Sequence, residues 1–148
     1  MLIAVSSVRE NVSVASSTDS RIWSEATTIY RPTQPWELIQ LGNCGAPIET
    51  ANGWLVLTHG VGPVRTYGNG AILLDLDDPT VVIGSLREPL LTPADDERDG
   101  YVPNVVYSCG SMIHNDTLVL PYGCSDSAVR FAFVDVPTLL ERLQQHRW

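Results

Sequence analysis

The chain has 148 residues, 44% of them hydrophobic and 18% charged, the proportions of one folded domain rather than of a disordered segment. Seventeen acidic residues against nine basic ones leave a net charge of −8, which argues against nucleic acid or an anionic membrane as partner, since both need a basic face. All nine basic residues are arginine, so lysine-based Schiff-base chemistry is excluded, and no apolar run reaches the ~18–20 residues that span a bilayer.

The first residues, Met1 to Ser7, are apolar without a basic flank and read as a short strand rather than a leader. Val12, Val14 and Ser16 alternate with Ser13 and Ala15 as a second strand. Trp54 to His59 is an apolar run entered through the turn dipeptide Asn52-Gly53. Ala71 to Leu74 follows, closed by the acidic turn Asp75 to Pro79, and then Val81 to Ile83. The stretch Glu88 to Gly100 is acidic and proline-bearing and reads as a long surface loop. Strands are expected over Val102–Cys109, Thr117–Tyr122 and Ala128–Val134, with Asn115-Asp116 turning between the first two and Gly123 to Ser127 linking the last pair. One helix closes the chain: Asp135 caps it, Pro137 suits its first turn, Leu139, Leu140 and Leu143 form its apolar stripe, and it runs to His146-Arg147-Trp148.

This is an all-β pattern (sandwich, barrel or propeller) with a short C-terminal helix. Partial repetition over Ser16–Trp23, Gly53–Leu74 and Pro103–Val134 suggests meanders. At about 40–45 residues per propeller blade the chain makes roughly three, and a closed ring needs at least four. A propeller reading therefore implies open edges that something must cover. The three cysteines, Cys44, Cys109 and Cys124, are odd in number and lack C-x-x-C spacing, so they read as buried free thiols in a reducing cytoplasm. Asp75, Asp77 and Asp78 lack the glycine and distal glutamate of a calcium loop, and no metal is expected.

Four ordered segments carry a family likeness. Gly45 to Val61 (GAPIETANGWLVLTHGV) is similar to a Pro-Pro-Ile-x-Thr-x-x-Gly-Trp-Leu-x-x-Tyr-His-Gly-Val segment. Tyr67 to Pro79, Gly100 to Gly110 and Tyr122-Gly-Cys-Ser-Asp126 continue it, and Glu10 to Asp19 with Trp23 resembles an earlier segment. Together they resemble glycoside hydrolase family 130, the β-mannoside phosphorylases and β-1,2-mannosidases. The resemblance implies a five-bladed β-propeller with the sugar site on its axis. A full member is about twice as long, so residues 1–148 correspond to the C-terminal part, about 2.5–3 blades. The general-acid aspartate would then lie in the N-terminal half, outside this chain.

On residue type alone His59 reads as a buried histidine beside Leu55 and Leu57. The resemblance makes it a phosphate contact, together with Tyr67, while Arg65 is either a solvated loop residue or a third contact. Asp126 is either a turn aspartate or, by resemblance, an acceptor for sugar hydroxyls. Tyr107 is either core or a platform under the sugar ring, and Asn104 either a strand-end cap or a polar contact. His59, Tyr107 and Asp126 are expected to share one pocket. The cluster Asp95, Asp96, Glu97 and Asp99 reads as a solvated loop, with Asp99 the candidate base if water is the nucleophile. Trp36 and Trp54 read as packing residues. Gln40 stands where phosphorylases of the family carry lysine ahead of a glycine-rich turn, which moves weight from phosphorolysis toward hydrolysis. The expected ligand is a β-mannoside oligosaccharide, with no cofactor and with inorganic phosphate as co-substrate only in a phosphorylase. The expected protein partner is a complementary N-terminal half or another copy of the chain. A non-catalytic carbohydrate-binding or structural half-propeller is the alternative.

Overall fold

The computed structural model describes the backbone of residues 2–8 and, in full, residues 10–145. Within these, the elements in chain order are β1 (Leu2–Val8), β2 (Asn11–Ser17), β3 (Thr27–Tyr30), β4 (Gln40–Asn43), β5 (Ile48–Thr50), β6 (Gly53–Val61), β7 (Tyr67–Leu74), β8 (Val82–Ser85), β9 (Val106–Tyr107), β10 (Met112–His114), β11 (Thr117–Cys124), β12 (Ala128–Asp135) and α1 (Val136–Gln144). They form three antiparallel sheets: β1-β2-β3; β4-β6-β7-β8 with β5 also on β6; and β10-β11-β12 with β9 also on β11. The fold is thus mostly β with one helix, as the sequence implied.

The middle sheet is covered on both faces, which is why β6 and β7 read as unbroken apolar runs rather than alternating ones. Val56, Ile72 and Leu74 meet Val12, Tyr30 and Leu41 on one side. On the other, Leu55, Leu57, Ala71 and Leu73 meet Leu118 and Leu120 of the third sheet and Val136, Leu139, Leu140 and Leu143 of α1. The helix starts where Asp135 accepts the Thr138 amide at 2.9 Å, a cap worth about 1 kcal/mol. Its Leu143 carbonyl lies so close to β8 that a Cβ on Gly84 would sit 2.4 Å from it. The expected helix end, His146-Arg147-Trp148, lies outside the described residues. No helix among the described residues is long and apolar enough to cross a membrane.

The second and third sheets share one construction. In each, the first strand is split in two and both pieces pair with the next strand. β4 pairs with the second half of β6 and β5 with its beginning. Likewise β9 pairs with the end of β11 and β10 with its beginning. The break falls at Cys44-Gly45 and at Cys109-Gly110. The sequences run in parallel from there: Cys-Gly, then Ile48 or Ile113, then Leu-Val-Leu at 55–57 or 118–120, then glycine at 60 or 123. Ile48 faces Leu55, and Ile113 faces Leu118. The two bends touch: a Cβ on Gly45, whose φ is +87°, would lie 2.8 Å from Gly110 Cα and 2.9 Å from the Cys109 carbonyl.

The split corrects two expectations. Only Val106–Tyr107 of the predicted strand Val102–Cys109 is strand. Pro103 offers no amide, and Asn104 adopts a left-handed φ of 59°. The chain there loops back instead, with Asn104 N–H bonded to the Arg98 carbonyl and Ser125 N–H to the Val105 carbonyl. Asn115-Asp116 is a tight turn, at φ 47° and 58°, but it joins β10 to β11. The strands β3, β4 and β5, of three or four residues each, carried too little pattern to be read. Gln40, expected just ahead of a glycine-rich turn, instead opens β4. The link after Tyr122 is also shorter than expected, since β11 continues through Cys124.

The segment Glu88–Gly100 is not wholly solvated. Leu90 and Leu91 donate to the Asn69 carbonyl at 2.7 and 3.2 Å, stitching it to β7, and a 3-10 turn at Asp95–Glu97 buries Glu97. Trp36 is a packing residue, as expected. Its ring lies over two glycines of the middle sheet, where a Cβ on Gly60 or Gly70 would come within 2.6 or 2.4 Å of it. Its indole N–H donates to the Arg87 carbonyl at 3.1 Å.

Candidate functional site

The β6–β7 hairpin places His59 opposite Asn69 and Val61 opposite Tyr67. Between them a 3-10 turn, Pro63–Arg65, holds Val64 at φ 59°, ψ 23° and Arg65 at φ 54°, with both side chains exposed. A left-handed valine is strained, since its branched Cβ crowds the following carbonyl. His59 is only 8% exposed. Its Nδ1 lies 3.7 Å from Cys44 Sγ, which also receives the Asn69 amide at 3.4 Å. Burial pushes the His59 pKa below its ordinary 6.5, against a smaller opposing effect of a backbone hydrogen bond at Asn43, so the ring is neutral at pH 7. Burial also pushes the Cys44 thiol up to about 12, so it stays protonated. The Asn69 side-chain oxygen, Oδ1, is buried with no hydrogen-bond partner among the described residues.

Tyr107 comes to the same place from β9. Its ring meets His59 edge-on, centroids 5.3 Å apart and planes at 60°. It remains 45% exposed, so part of the ring is open. The two sheets are also tied by backbone, Tyr67 N–H donating to the Asn104 carbonyl at 3.0 Å. Asp126 and Asp99 approach this junction through their neighbours. Ser125 and Asp126 form a left-handed turn at φ 49° and 51° between β11 and β12. Gly100 packs on it so closely that a Cβ would lie 2.3 Å from the Ser125 carbonyl. Both carboxylates are exposed.

Four predicted residues thus adjoin, His59 with Tyr107 by ring contact and Tyr67 with Asn104 by backbone. Asp126, Asp99 and Arg65 lie on the flanking loops, and no contact joins Asp126 to His59 or Tyr107 among those described. At this turn Ser125 is buried while Asp126 is exposed. A cavity of about 790 Å³ lies at the other end of β6, lined by Ile48, Asn52, Ile113, Pro137 and Leu140, and contains none of the predicted residues. Tyr67 lines a groove of about 200 Å³ with Trp36, Pro63 and Pro89.

The acidic loop holds what residue type alone missed. Glu97, 4% exposed, is buried rather than solvated. Its Oε2 accepts the Ala94 amide at 2.9 Å, its Oε1 the Tyr122 hydroxyl at 2.7 Å, and Arg130 Nη1 lies 3.0 Å from Oε1. Arg130 Nη2 also pairs with Asp96 at 3.0 Å. The Ala94 amide, then Tyr122 and Arg130, hold the Glu97 carboxyl below its ordinary range, with burial opposing them. Burial and the bond to Glu97 push Tyr122 up to about 12, so its hydroxyl remains a donor. Both carboxylate oxygens of Glu97 are engaged, and the Ser125 hydroxyl donates to its carbonyl. Its work is to fasten the acidic loop to the turn bearing Asp126. The internal repeat was the available signal, for Tyr122 follows Leu120 as His59 follows Leu57. Among the described residues, no group of three histidine, cysteine or carboxylate side chains is arranged to hold a metal.

Comparison with known proteins follows the same outline. The glycoside hydrolase 130 family model, described as beta-1,4-mannooligosaccharide phosphorylase, matches residues 1–145. A 1,2-beta-oligomannan phosphorylase of Thermoanaerobacter sp. (strain X514) is 38% identical over 125 residues, 83% of this chain and 42% of its own. The structure of beta-1,2-mannobiose phosphorylase from Listeria innocua, in complex with beta-1,2-mannobiose, superposes with a TM-score of 0.86 at 31% identity, over 97% of this chain and 42% of that one. A glycosyl hydrolase from Bacteroides ovatus gives 0.71 at 29% identity, over 85% and 40%. The chain therefore spans about two fifths of the length of the relatives it matches, 42% in the first of them.

Proposed function

The chain belongs to glycoside hydrolase family 130, and from that membership we propose that residues 1–148 form the C-terminal section, about 2.5–3 blades, of a five-bladed β-propeller that cleaves β-mannosidic bonds with inversion. The observation that carries this reading is the His59–Tyr107 contact, which brings side chains of two sheets and two family motifs to one junction. In an inverting displacement a general acid protonates the leaving oxygen while the nucleophile attacks from the opposite face. Tyr107 offers its open ring to the sugar, and Asn104 and Asp126 offer polar acceptors to its hydroxyls. His59, Tyr67 and Arg65 offer donors to an anion. Neutral His59 donates one N–H, and an arriving phosphate would raise its pKa and charge it.

Among the described residues, no hydrogen bond or ion pair joins a carboxylate side chain to His59, Tyr67, Asn104 or Tyr107. That supports a general acid supplied by a complementary N-terminal portion, with the present chain silent alone. Gln40, exposed on β4, brings no positive charge toward phosphate, which favours water as nucleophile, with exposed Asp99 as its base. The relatives' names include both phosphorylases and a hydrolase. The three cysteines are free thiols, Cys44 and Cys124 buried as expected and Cys109 exposed on the bend before β10, contrary to expectation, and free thiols fit a reducing cytoplasm.

The test is incubation with β-1,2-mannobiose, with and without inorganic phosphate, of the chain alone and of the chain supplied with the remainder of a relative's propeller. Turnover only in the assembled sample is expected, giving two mannose with water, or one mannose 1-phosphate and one mannose with phosphate. Inactivity after assembly would end the catalytic reading. The same absence of a bonded carboxylate at the junction favours, as second reading, a module that binds mannosides without cleaving them. Calorimetric titration with mannobiose distinguishes it by heat of binding without product.

A further inference from the structure

We propose that Cys44 and Asn69 are positioning residues for His59: the Asn69 amide turns the Cys44 thiol so that its S–H meets His59 Nδ1, which leaves the ring's own proton on Nε2. The use of that proton for an anion rests on the reading of His59 given above, whereas the choice of nitrogen rests on the geometry of this chain. Asn69 stands opposite His59 in the β6–β7 register and is fully buried. Its backbone is held from both sides, its N–H by the Leu91 carbonyl at 2.8 Å and its carbonyl by the Leu90 and Leu91 amides. Cys44 is buried as well, and its N–H donates to the Leu57 carbonyl at 2.8 Å. Neither backbone can shift without breaking these bonds.

The donors and acceptors around the sulfur decide where its hydrogen goes. Asn69 Nδ2 donates to Sγ at 3.4 Å, and the Ser108 backbone N–H donates to it as well. Burial keeps the thiol protonated. A sulfur is a weak acceptor, and one that already takes two N–H groups is a poor target for a third. His59 Nδ1, 3.7 Å away, is the acceptor open to its S–H. In a neutral imidazole one nitrogen carries the proton and the other accepts, so a thiol donating to Nδ1 fixes the proton at Nε2. Thr58 Oγ1 and Asn69 Oδ1 are the buried side-chain atoms left bare among the described residues, and Nε2 is not one of them. The partly open Tyr107 ring lies against the same imidazole, so a proton on Nε2 is offered at the junction rather than spent in the core. Leucine would fill the volume of Asn69 without stranding Oδ1, so the amide is explained by what its N–H does and not by packing. The rival arrangement is Nδ1–H turned to the Asn43 backbone.

The experiment is heteronuclear NMR of the isotopically labelled full-length chain at pH 7, reading both ring nitrogens of His59, assigned by their loss in His59→Gln. Wild type is expected to carry its proton on Nε2. Cys44→Ala should move the ratio of Nε2–H to Nδ1–H by about two- to tenfold toward Nδ1–H, the bias that one hydrogen bond supplies. Asn69→Leu should move it in the same direction. Cys44→Ser keeps a donor and should restore the wild-type ratio, which a role in packing alone does not predict. Circular dichroism shows which variants fold, and the wild-type spectrum decides the tautomer without any of them. A wild-type proton on Nδ1, an unchanged ratio in Cys44→Ala, or a serine variant that behaves as the alanine one overturns the proposal. Inorganic phosphate keeps this inference apart from the anion reading. It should move the Nε2 signal of wild type more than that of Cys44→Ala. A wild-type Nε2–H that phosphate leaves unmoved sinks the anion reading and leaves the positioning by Cys44 and Asn69 standing.

Discussion

Replacing Gly70 by alanine tests the packing that holds the site hairpin. The new Cβ would lie 2.4 Å from Trp36 Cη2, 3.0 Å from Cζ2 and 3.1 Å from Thr58 Oγ1. The backbone there is an ordinary strand, so no dihedral penalty enters. The indole cannot simply slide, because its N–H is held by the Arg87 carbonyl and its other edge rests on Gly60. Overpacking of this kind costs about 1–3 kcal/mol, or a fall in Tm of roughly 3–12 °C for a chain of this size. Trp36→Ala alone removes a large, half-buried ring and should cost about 3 kcal/mol, at the low end for tryptophan truncation. In the Trp36→Ala background there is room for a methyl group, so Gly70→Ala should then cost nearly nothing. Thermal and urea unfolding of the four proteins gives the coupling energy, expected at about 1–3 kcal/mol. Gly110→Ala is the control, with nothing within 4 Å of its added Cβ. If Gly70→Ala costs the same with and without Trp36, the glycine is not there to seat the ring and the reasoning fails.

Other perturbations follow from the same contacts. Val64→Asn should stabilise by about 0.5–1 kcal/mol, because asparagine tolerates the left-handed turn and the exposed valine loses no burial; an unchanged or lower Tm counts against strain there. Tyr122→Phe removes one donor from buried, ionised Glu97 and should cost about 1–3 kcal/mol at pH 7, read by urea denaturation, with little loss once Glu97 is protonated. The two buried glutamates oppose each other in pH dependence. Glu97, with its folded pKa lowered, adds stability above the ordinary glutamate pKa of 4.5 that disappears as pH falls through the folded value. Glu37, with its folded pKa raised by burial, adds stability below 4.5 that disappears as pH rises through its folded value, so Glu37→Gln should flatten the decline above that range in a melting series. Phosphate, if held by His59, should move that residue's imidazole NMR titration toward higher pH; an unmoved curve argues against an anion site there.

What could be read from the sequence was whatever a single segment determines. Asp135, Pro137 and three leucines define α1 because cap, first turn and stripe are all local. β6 and β7 announce themselves because both faces are buried. The split strands do not: β9 has two residues, and Val102 to Val105, strand-prone by composition, is bent away by Pro103 and left-handed Asn104. Glu97 was hidden in a run of acids, and nothing in that run tells which carboxylate meets Tyr122 twenty-five residues on. For the site, the family motifs named His59, Tyr107, Tyr67 and Asn104, and the structure joins them in two contacting pairs. Asp126 sits on an exposed turn, a position set by long-range packing of Gly100 on Ser125 that no local pattern encodes.

The meeting of Gly45 and Gly110 has a bearing on how such a chain can change over generations. Each residue is the elbow of one copy of the repeated unit, but the fit is one-sided: a Cβ on Gly45 would meet the main chain of Cys109 and Gly110, while one on Gly110 would meet nothing within 4 Å. A side chain at position 45 would therefore push on its sister elbow and displace His59 and Tyr107 together. Position 45 has no room for one carbon more while position 110 does, so the two copies of the unit are unequally constrained at the place where they meet.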